Sequence, residues 1–224
     1  MLSNQFISRL RHRLTQPLPG RTAQSLAMPG LSYGRHCGPA PRTARQAAVV
    51  VMLIQDAAGW KIPLTRRPLT IKHHGGQISL PGGRIETGES SVEAALREFE
   101  EELGVEPHDA VLCGELSPTY VYASDNLVHP VVMACHRPTM AWKPDPVEVE
   151  MVIELPLPEL QASGRWETTT VRRTLKKAGR AVGELRFRAP GLVFQQHRIW
   201  GATGMILAEL AECLRTSDTA ENVC

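Results

Sequence analysis

The distribution of apolar and polar residues along the chain predicts more strands than helices. An unbroken, β-branched apolar run at residues 47–54 is typical of a buried strand, and a turn at 56–59 separates it from a second run at 61–65. Five further apolar or alternating runs are predicted strands, at 110–116, 127–135, 151–155, 171–175 and 185–187. Helical spacing of apolar residues occurs at 92–103 and 199–214. The mixed order of these elements indicates an α/β or α+β fold with helices on the faces of a mixed sheet.

The helix predicted at 92–103 has recognisable signals at both ends. Ser90 is followed three residues later by Glu93, the spacing of a capping box, and Gly104 is placed to end the helix in a left-handed conformation. A single apolar stripe is expected to face the core. Its members are Val92, Ala95, Leu96, Phe99 and Leu103.

Glutamates are concentrated on another face of the same helix. Glu98, Glu101 and Glu102 stand at i, i+3 and i+4, so we expect their carboxylates to converge. Such a cluster is destabilising as bare charge, and it suits a hard divalent cation such as Mg²⁺ or Mn²⁺ better than zinc. The alternative is a solvated, glutamate-rich helix face, which is the interpretation that we favour for Glu100 and Glu106.

Charge is unevenly distributed, although the formal net charge of the 224 residues is only +2. Residues 1–55 contain seven Arg and no Asp, Glu or Lys. The remaining residues, 56–224, therefore carry 18 basic and 23 acidic side chains, a net charge of −5. A basic segment thus precedes an acidic body, and the acidic side chains are most crowded between Glu86 and Glu106.

These shifts in composition predict three segments. Residues 1–44 form a basic, Pro/Gly-rich arm, which we expect to be extended over a surface or mobile between 16 and 43. Residues 45–215 form the domain, and 216–224 form a flexible tail. No apolar run approaches the roughly 20 residues of a membrane-spanning helix, and no segment resembles a nucleic-acid-reading module. We therefore expect neither membranes nor nucleic acids as partners.

The five cysteines are odd in number and scattered, without a Cys-x-x-Cys pair. This spacing argues against a disulfide framework or a structural zinc site and favours a reducing cytoplasm. The arm is also rich in Arg and Ser and contains no acidic residue, which matches the composition of an organellar transit peptide. An organellar matrix is therefore the alternative location.

The residues from Gly83 to Val105 resemble the signature box of the Nudix hydrolases. All nine defined positions of that box are matched, by Gly83, Glu89, Arg97, Glu98, Phe99, Glu101, Glu102, Gly104 and Val105. The resemblance implies an α/β/α sandwich and metal-dependent hydrolysis of a nucleoside diphosphate linked to another moiety. It also implies that the three clustered glutamates and the Gly83 carbonyl hold Mg²⁺ or Mn²⁺, and that Glu89 and Arg97 brace the loop against the helix.

A carboxylate must also accept the proton of the attacking water. In this family the base can come from the box or from a later loop. Glu148, just before a predicted strand, is the candidate from outside the box, with a solvated loop acid as its alternative interpretation.

The segment ahead of the box is similar to a motif of coenzyme A pyrophosphatases. Thr65, Arg67, Gly76, Pro81, Gly82 and Gly83 match it, whereas Pro63, Pro68, Lys72 and Leu80 depart from it. Lys72 keeps a positive charge but lacks the bidentate fork of the expected Arg. The residues expected to bind the substrate's phosphates are Arg66, Arg67, Lys72, Gly76 and Gly82.

This second resemblance implies cleavage of coenzyme A or acyl-CoA to 3′,5′-ADP and 4′-phosphopantetheine or its acyl form. The alternatives are a Nudix hydrolase for another nucleoside diphosphate derivative, such as ADP-ribose or NADH, and a binding module without turnover. The partner is in each case a small molecule. A homodimer and the role of the arm are left open.

Overall fold

The structure is a computed structural model and describes residues 4–30, 39–70, 75–177 and 180–219. Its α-helices are α1 (Asn4–Thr15), α2 (Gly20–Gln24), α3 (Ser91–Leu103), α4 (Leu157–Gln161) and α5 (Gly201–Thr219). The first strands are β1 (Arg45–Asp56), β2 (Gly59–Arg66), β3 (Ile78–Ser79), β4 (Gly82–Arg84), β5 (Val111–Glu115) and β6 (Thr119–Val121). The others are β7 (Asn126–His136), β8 (Met151–Pro156), β9 (Trp166–Lys177), β10 (Arg180–Phe194) and β11 (His197–Trp200).

Within the described residues, eight strands form one mixed sheet. Its main path runs β3-β2-β1-β7-β5, while β4 pairs with β1, β6 with β7 and β8 with β2. The long central strands β1 and β7 are parallel, from Arg45 opposite Asn126 to Gln55 opposite His136. A separate antiparallel sheet has the order β11-β10-β9. The mixed sheet predicted from the order of elements is therefore confirmed.

Helices cover both faces of the central sheet because side chains of β1 alternate between them. Val51 and Leu53 belong to a large cluster with residues of α1, α4 and α5, whereas Val50 and Met52 pack with α3. Phe99 of α3 is fully buried in that second cluster. The result is an α/β/α sandwich, as the resemblance implied.

The sequence predicts an extended or mobile segment at 16–43, but part of this segment is helical. Residues 20–24 are helical rather than extended, and α1 precedes them. The signal for α1 is present in the sequence, because Ile7, Leu10 and Leu14 recur at helical spacing and all three are buried in the core. Composition alone predicts a basic arm here, and it does not reveal this amphipathic pattern. Residues 31–38 lie outside the described residues.

The C-terminal part contains longer strands than the apolar pattern predicts. β9 and β10 extend well beyond 171–175 and 185–187, and they form an antiparallel hairpin whose outer part is exposed. Exposed strands lack the apolar alternation by which half-buried strands are recognised. The last helix begins at Gly201 rather than near 199, because residues 197–200 pair with β10. Among the described residues, no helix is long and apolar enough to cross a membrane.

Candidate active site

Helix α3 carries the acidic cluster, and both of its ends are fixed as the sequence predicts. The Ser90 hydroxyl accepts a hydrogen bond from the Glu93 amide, while the Glu93 carboxylate accepts one from the Ser90 amide at 2.8 Å. Gly104 ends the helix in a left-handed conformation, with φ of 65°. Ala95, Phe99 and Leu103 are fully buried against the sheet. This packing fixes the orientation of the acidic face of α3.

Strand β4 lies directly over the glutamates of α3. A Cβ atom at Gly83 would overlap the carboxylate of Glu98, and one at Gly82 would overlap the backbone of Ala48 and Val49. The Gly82 amide also faces the Glu102 carboxylate, at 3.5 Å. Both glycines are therefore required by close approach, because β4 is packed between β1 and the acidic side chains.

Glu102 is the most enclosed carboxylate of the cluster, with 4% of its surface exposed. The Thr65 hydroxyl donates a hydrogen bond to it at 3.1 Å. Burial raises the pKa of Glu102 to about 7, although the hydrogen bonds from Gly82 and Thr65 and the charge of Arg67 act in the opposite direction. Burial also raises the pKa of Glu98. Burial is the main cause of both upward pKa shifts, and the charge of neighbouring glutamates adds to it.

Arg97 connects the loop after β4 to the acidic face of α3. Its guanidinium donates hydrogen bonds to both carboxylate oxygens of Glu89, at 2.9 and 3.1 Å, and to the carbonyl of Arg84 at 3.0 Å. The same group contacts Glu98 at 2.9 Å and Glu101 at 3.1 Å. These contacts raise the pKa of Arg97 and lower that of Glu89. The structure thus brings together the two residues expected to brace the loop.

A cleft of about 580 Å³ opens over this face of α3. It is lined by Arg84, Glu86, Arg97, Glu98, Glu101, Glu102, Asp145 and Glu148. Glu148 therefore shares a cleft with the three glutamates, and its charge helps to raise the pKa of Glu98. The structure adds Arg84, Glu86 and Asp145 to the residues proposed from the sequence.

The loop that carries Asp145 and Glu148 is tied to the end of α3. The Asp145 amide donates a hydrogen bond to the Glu102 carbonyl at 3.3 Å, and the Lys143 amide donates to the Leu103 carbonyl at 2.9 Å. Asp145 in turn accepts a hydrogen bond from the Val147 amide at 2.9 Å. This position depends on contacts between residues about 40 apart in sequence, so no local signal marks Asp145.

The basic residues expected to bind phosphate occupy different environments. Arg66 forms a bidentate ion pair with Glu150, at 2.6 and 3.1 Å, so its guanidinium already has an anionic partner. Arg67 is half-buried, and its charge lowers the pKa of Glu102. The Gly76 amide donates a hydrogen bond to the Arg67 carbonyl at 2.9 Å, which closes the loop between β2 and β3. Lys72 lies outside the described residues.

Comparison with known proteins identifies the family. The NUDIX domain model matches residues 44–175, more than half of the chain. The chain belongs to the Nudix family. It is 33% identical to the "Uncharacterized Nudix hydrolase NudL" of Photorhabdus laumondii over 170 residues, which cover 75% of this chain and 84% of that protein. The protein of the same name from Salmonella paratyphi B is 31% identical over 168 residues, 75% of this chain and 81% of that protein.

A solved structure, that of a C. elegans Ap4A hydrolase binary complex, also resembles this chain. It has a TM-score of 0.43 and 18% identity, and the match covers 51% of this chain and 82% of that chain. As a Nudix hydrolase, the protein is a pyrophosphohydrolase. Enzymes of this family bind nucleotide-derivative substrates. Enzymes of this family generally use divalent metal ions.

The donor groups of the Nudix cleft fit a hard divalent cation. All the acidic groups that line it supply carboxylate oxygens, and the carboxylate of Glu98 lies against the backbone of Gly83. Such oxygen donors suit Mg²⁺ or Mn²⁺. Arg97 contacts the carboxylates of both Glu98 and Glu101. In the described part of the chain, no three Asp, Glu, His or Cys side chains are close enough together to hold a metal ion as they stand.

Proposed function

We propose that this Nudix hydrolase cleaves the diphosphate of coenzyme A or its thioesters, releasing 3′,5′-ADP and 4′-phosphopantetheine or its acyl form. The observation that carries the proposal is the position of the segment ahead of the box. Thr65, from that segment, donates a hydrogen bond to Glu102, and Arg67, the next matching residue, acts electrostatically on the same carboxylate. The residues that resemble the coenzyme A motif therefore adjoin the acidic cluster.

Four groups would hold the metal: the carboxylates of Glu98, Glu101 and Glu102 and the carbonyl of Gly83. When bound, Mg²⁺ or Mn²⁺ would neutralise charge on the diphosphate and activate the attacking water. The chain itself supplies the positioning. Thr65 and the Gly82 amide orient the Glu102 carboxylate, and Arg97 fixes Glu98 relative to the loop.

Glu148 is our candidate for the general base. It lines the same cleft as Glu98, on a loop that is hydrogen-bonded to the end of α3. In the proposed reaction the water oxygen bonds to one phosphorus, the bridging P–O bond breaks, and a proton of the water passes to Glu148. Each product is then a phosphate monoester, and the bridging oxygen leaves with the second phosphate.

A reducing, cytoplasmic location is part of the proposal. It is supported by the free thiols of Cys113, Cys135 and Cys213, all of which are buried. Proteins of oxidising compartments tend to use their cysteines in disulfides.

The test is product analysis with the purified chain and Mg²⁺ or Mn²⁺. Coenzyme A, acetyl-CoA, ADP-ribose, NADH and nucleoside triphosphates are incubated separately, and the products are identified by mass spectrometry. We expect 3′,5′-ADP and 4′-phosphopantetheine from coenzyme A, with the highest kcat/KM in the set for coenzyme A or its thioester. Higher kcat/KM with ADP-ribose or NADH would refute the coenzyme A specificity, and binding without cleavage of any compound would identify a non-catalytic module.

A further inference from the structure

The hairpin formed by β9 and β10 is longer than the rest of the second sheet. β11 pairs only with residues 191–194 of β10, whereas β9 pairs with β10 from residue 192 to residue 180. The outer hairpin, which we define as residues 168–177 and 180–190, therefore has no third strand among the described residues. Two strands alone are marginally stable in water, and packing against another element stabilises them.

One face of the outer hairpin is basic, because side chains alternate between two faces along each strand. Arg186 and Arg188 are exposed on this face, and Arg172, which lies opposite Arg186, is exposed as well. Glu184 pairs with Arg186, whereas the side chains of Arg172 and Arg188 have no ion pair within the described residues. Like charges directly opposite each other destabilise a strand pair, so this face favours an anionic partner.

Apolar side chains of the hairpin become less buried towards its tip. Phe187 is buried, and its ring centroid lies 6.0 Å from that of Trp200. Val171, which is opposite Phe187, and Leu185 are only partly buried. Val182, still nearer the tip, is 62% exposed. A partner that covers this part of the hairpin would therefore remove apolar surface from water.

The hairpin and the rest of the domain carry opposite net charges. Residues 166–194 contain seven basic and two acidic side chains, a net charge of +5. The other residues of 56–224, which we call the acidic body, contain 11 basic and 21 acidic side chains, a net charge of −10. Within the described residues, however, β9 has no extensive contact with any element except β10. The acidic body of the same chain therefore does not cover the basic face of its own hairpin.

We propose that the outer hairpin docks on the acidic body of a second copy of this chain. Two copies exchange this contact, so that each contributes a hairpin and receives one, which gives a closed dimer. The contact brings the exposed arginines towards carboxylates and covers apolar side chains near the tip. A nucleic acid fits less well, because the acidic body beside the hairpin repels a polyanion. The contact requires no particular substrate, so it is independent of the proposed function.

Charge reversal in the hairpin tests the proposal. Arg172→Glu and Arg188→Glu each reverse one exposed charge, and Arg42→Glu is the matched control, since Arg42 is exposed and lies outside the hairpin. Sedimentation velocity over a range of protein concentrations measures the Kd of the dimer, at low and at high NaCl. Circular dichroism monitors the fold, and Arg188→Gln is the milder variant if charge reversal prevents folding.

The wild type is expected to form a dimer. Each charge reversal in the hairpin should raise its Kd by about 10- to 100-fold, because the new carboxylate occurs twice in the dimer and meets like charge each time. Arg188→Gln should raise the Kd less, and Arg42→Glu should match the wild type. High NaCl should weaken the wild-type dimer, because salt screens exposed charges.

A photochemical crosslink locates the contact. Val182 is replaced by p-benzoylphenylalanine, and isotopically labelled chains are mixed with unlabelled chains before irradiation. Mass spectrometry then distinguishes crosslinks between copies from crosslinks within one chain. We expect crosslinks from the hairpin of one copy to the acidic body of the other.

Three results would overturn the docking of the hairpin on a second copy. They are a wild type that is monomeric at every concentration, a dimer whose Kd is unchanged by both charge reversals, and crosslinks confined to one chain. A fluorescently labelled RNA oligonucleotide provides a further comparison. If monomeric wild type binds it and Arg172→Glu does not, the basic face serves a nucleic acid and the dimer proposal is wrong.

Discussion

The N-terminal arm is held to the domain by a fully buried carboxylate, which makes Glu209→Ala an informative perturbation. Glu209 of α5 has no exposed surface. One of its oxygens accepts hydrogen bonds from the Gly20 amide at 3.1 Å and the Ser117 amide at 3.2 Å, and the other accepts one from the Gln24 side-chain amide at 2.8 Å. The same carboxylate therefore joins α2, α5 and the segment before β6.

The expected loss follows from the donors that the variant leaves without an acceptor. Each unsatisfied buried donor costs about 1–3 kcal/mol, and water that enters the space of the missing side chain recovers part of this. We therefore expect Glu209→Ala to lower the free energy of unfolding by about 2–5 kcal/mol. Glu209→Gln keeps one oxygen for the Gly20 and Ser117 amides but turns a donor toward Gln24, and its loss should be about 1 kcal/mol.

Urea unfolding and limited trypsin digestion measure these effects. Loosening of α2 should expose the bond after Arg21, so the Ala variant should be cut there faster than the wild type. Glu212→Gln is the control, since Glu212 lies one turn away and pairs with Arg215 at the surface. It should change the free energy of unfolding by less than about 0.5 kcal/mol. A Glu209→Ala variant with wild-type stability and wild-type resistance to trypsin would refute the role of this carboxylate.

Two further predictions concern the loop and helix of the site. Gly83→Ala should displace the Glu98 carboxylate, because the new Cβ atom overlaps it. Both Mn²⁺ affinity and kcat/KM should then fall by about 10- to 100-fold. Unchanged values would contradict the close packing of β4 on α3. Glu89→Gln should weaken the bidentate contact with Arg97 and lower kcat/KM by about 10-fold, with a loss of about 1 kcal/mol in urea unfolding. A Glu89→Gln variant as active as the wild type would show that the brace does not position the site.

Local signals predicted the parts of the fold and site that depend on neighbours in sequence. The capping box at Ser90 and the terminating Gly104 defined α3, and continuous apolar runs located β1 and β7. The sequence spacing of Glu98, Glu101 and Glu102 predicts that they share one face of α3, because the geometry of an α-helix alone determines which residues lie on the same face.

Other features depend on contacts between distant residues, which single-sequence patterns do not contain. Asp145 reaches the cleft through a hydrogen bond to the Glu102 carbonyl, and the pairing of Arg66 with Glu150 follows from the register of β2 and β8. Arg84 is not predicted from the sequence either, because its place in the cleft depends on the packing of β4 over α3. Helix α1 is a different case, because the helical spacing of Ile7, Leu10 and Leu14 is a local signal, and composition alone, which predicts a basic arm, does not reveal it.

The most direct test of a metal-dependent diphosphate hydrolase compares two neighbouring glutamates of α3. Glu101→Gln removes a proposed metal ligand, while Glu100→Gln is a matched change at an exposed position outside the cleft. Mg²⁺-dependent cleavage of coenzyme A and Mn²⁺ affinity are measured for both variants and the wild type. We expect Glu101→Gln to lose about 100-fold or more of kcat with its fold intact, because metal binding supplies several kcal/mol of charge stabilisation, and Glu100→Gln to match the wild type. Near-normal cleavage and Mn²⁺ binding by Glu101→Gln would contradict metal ligation by this residue.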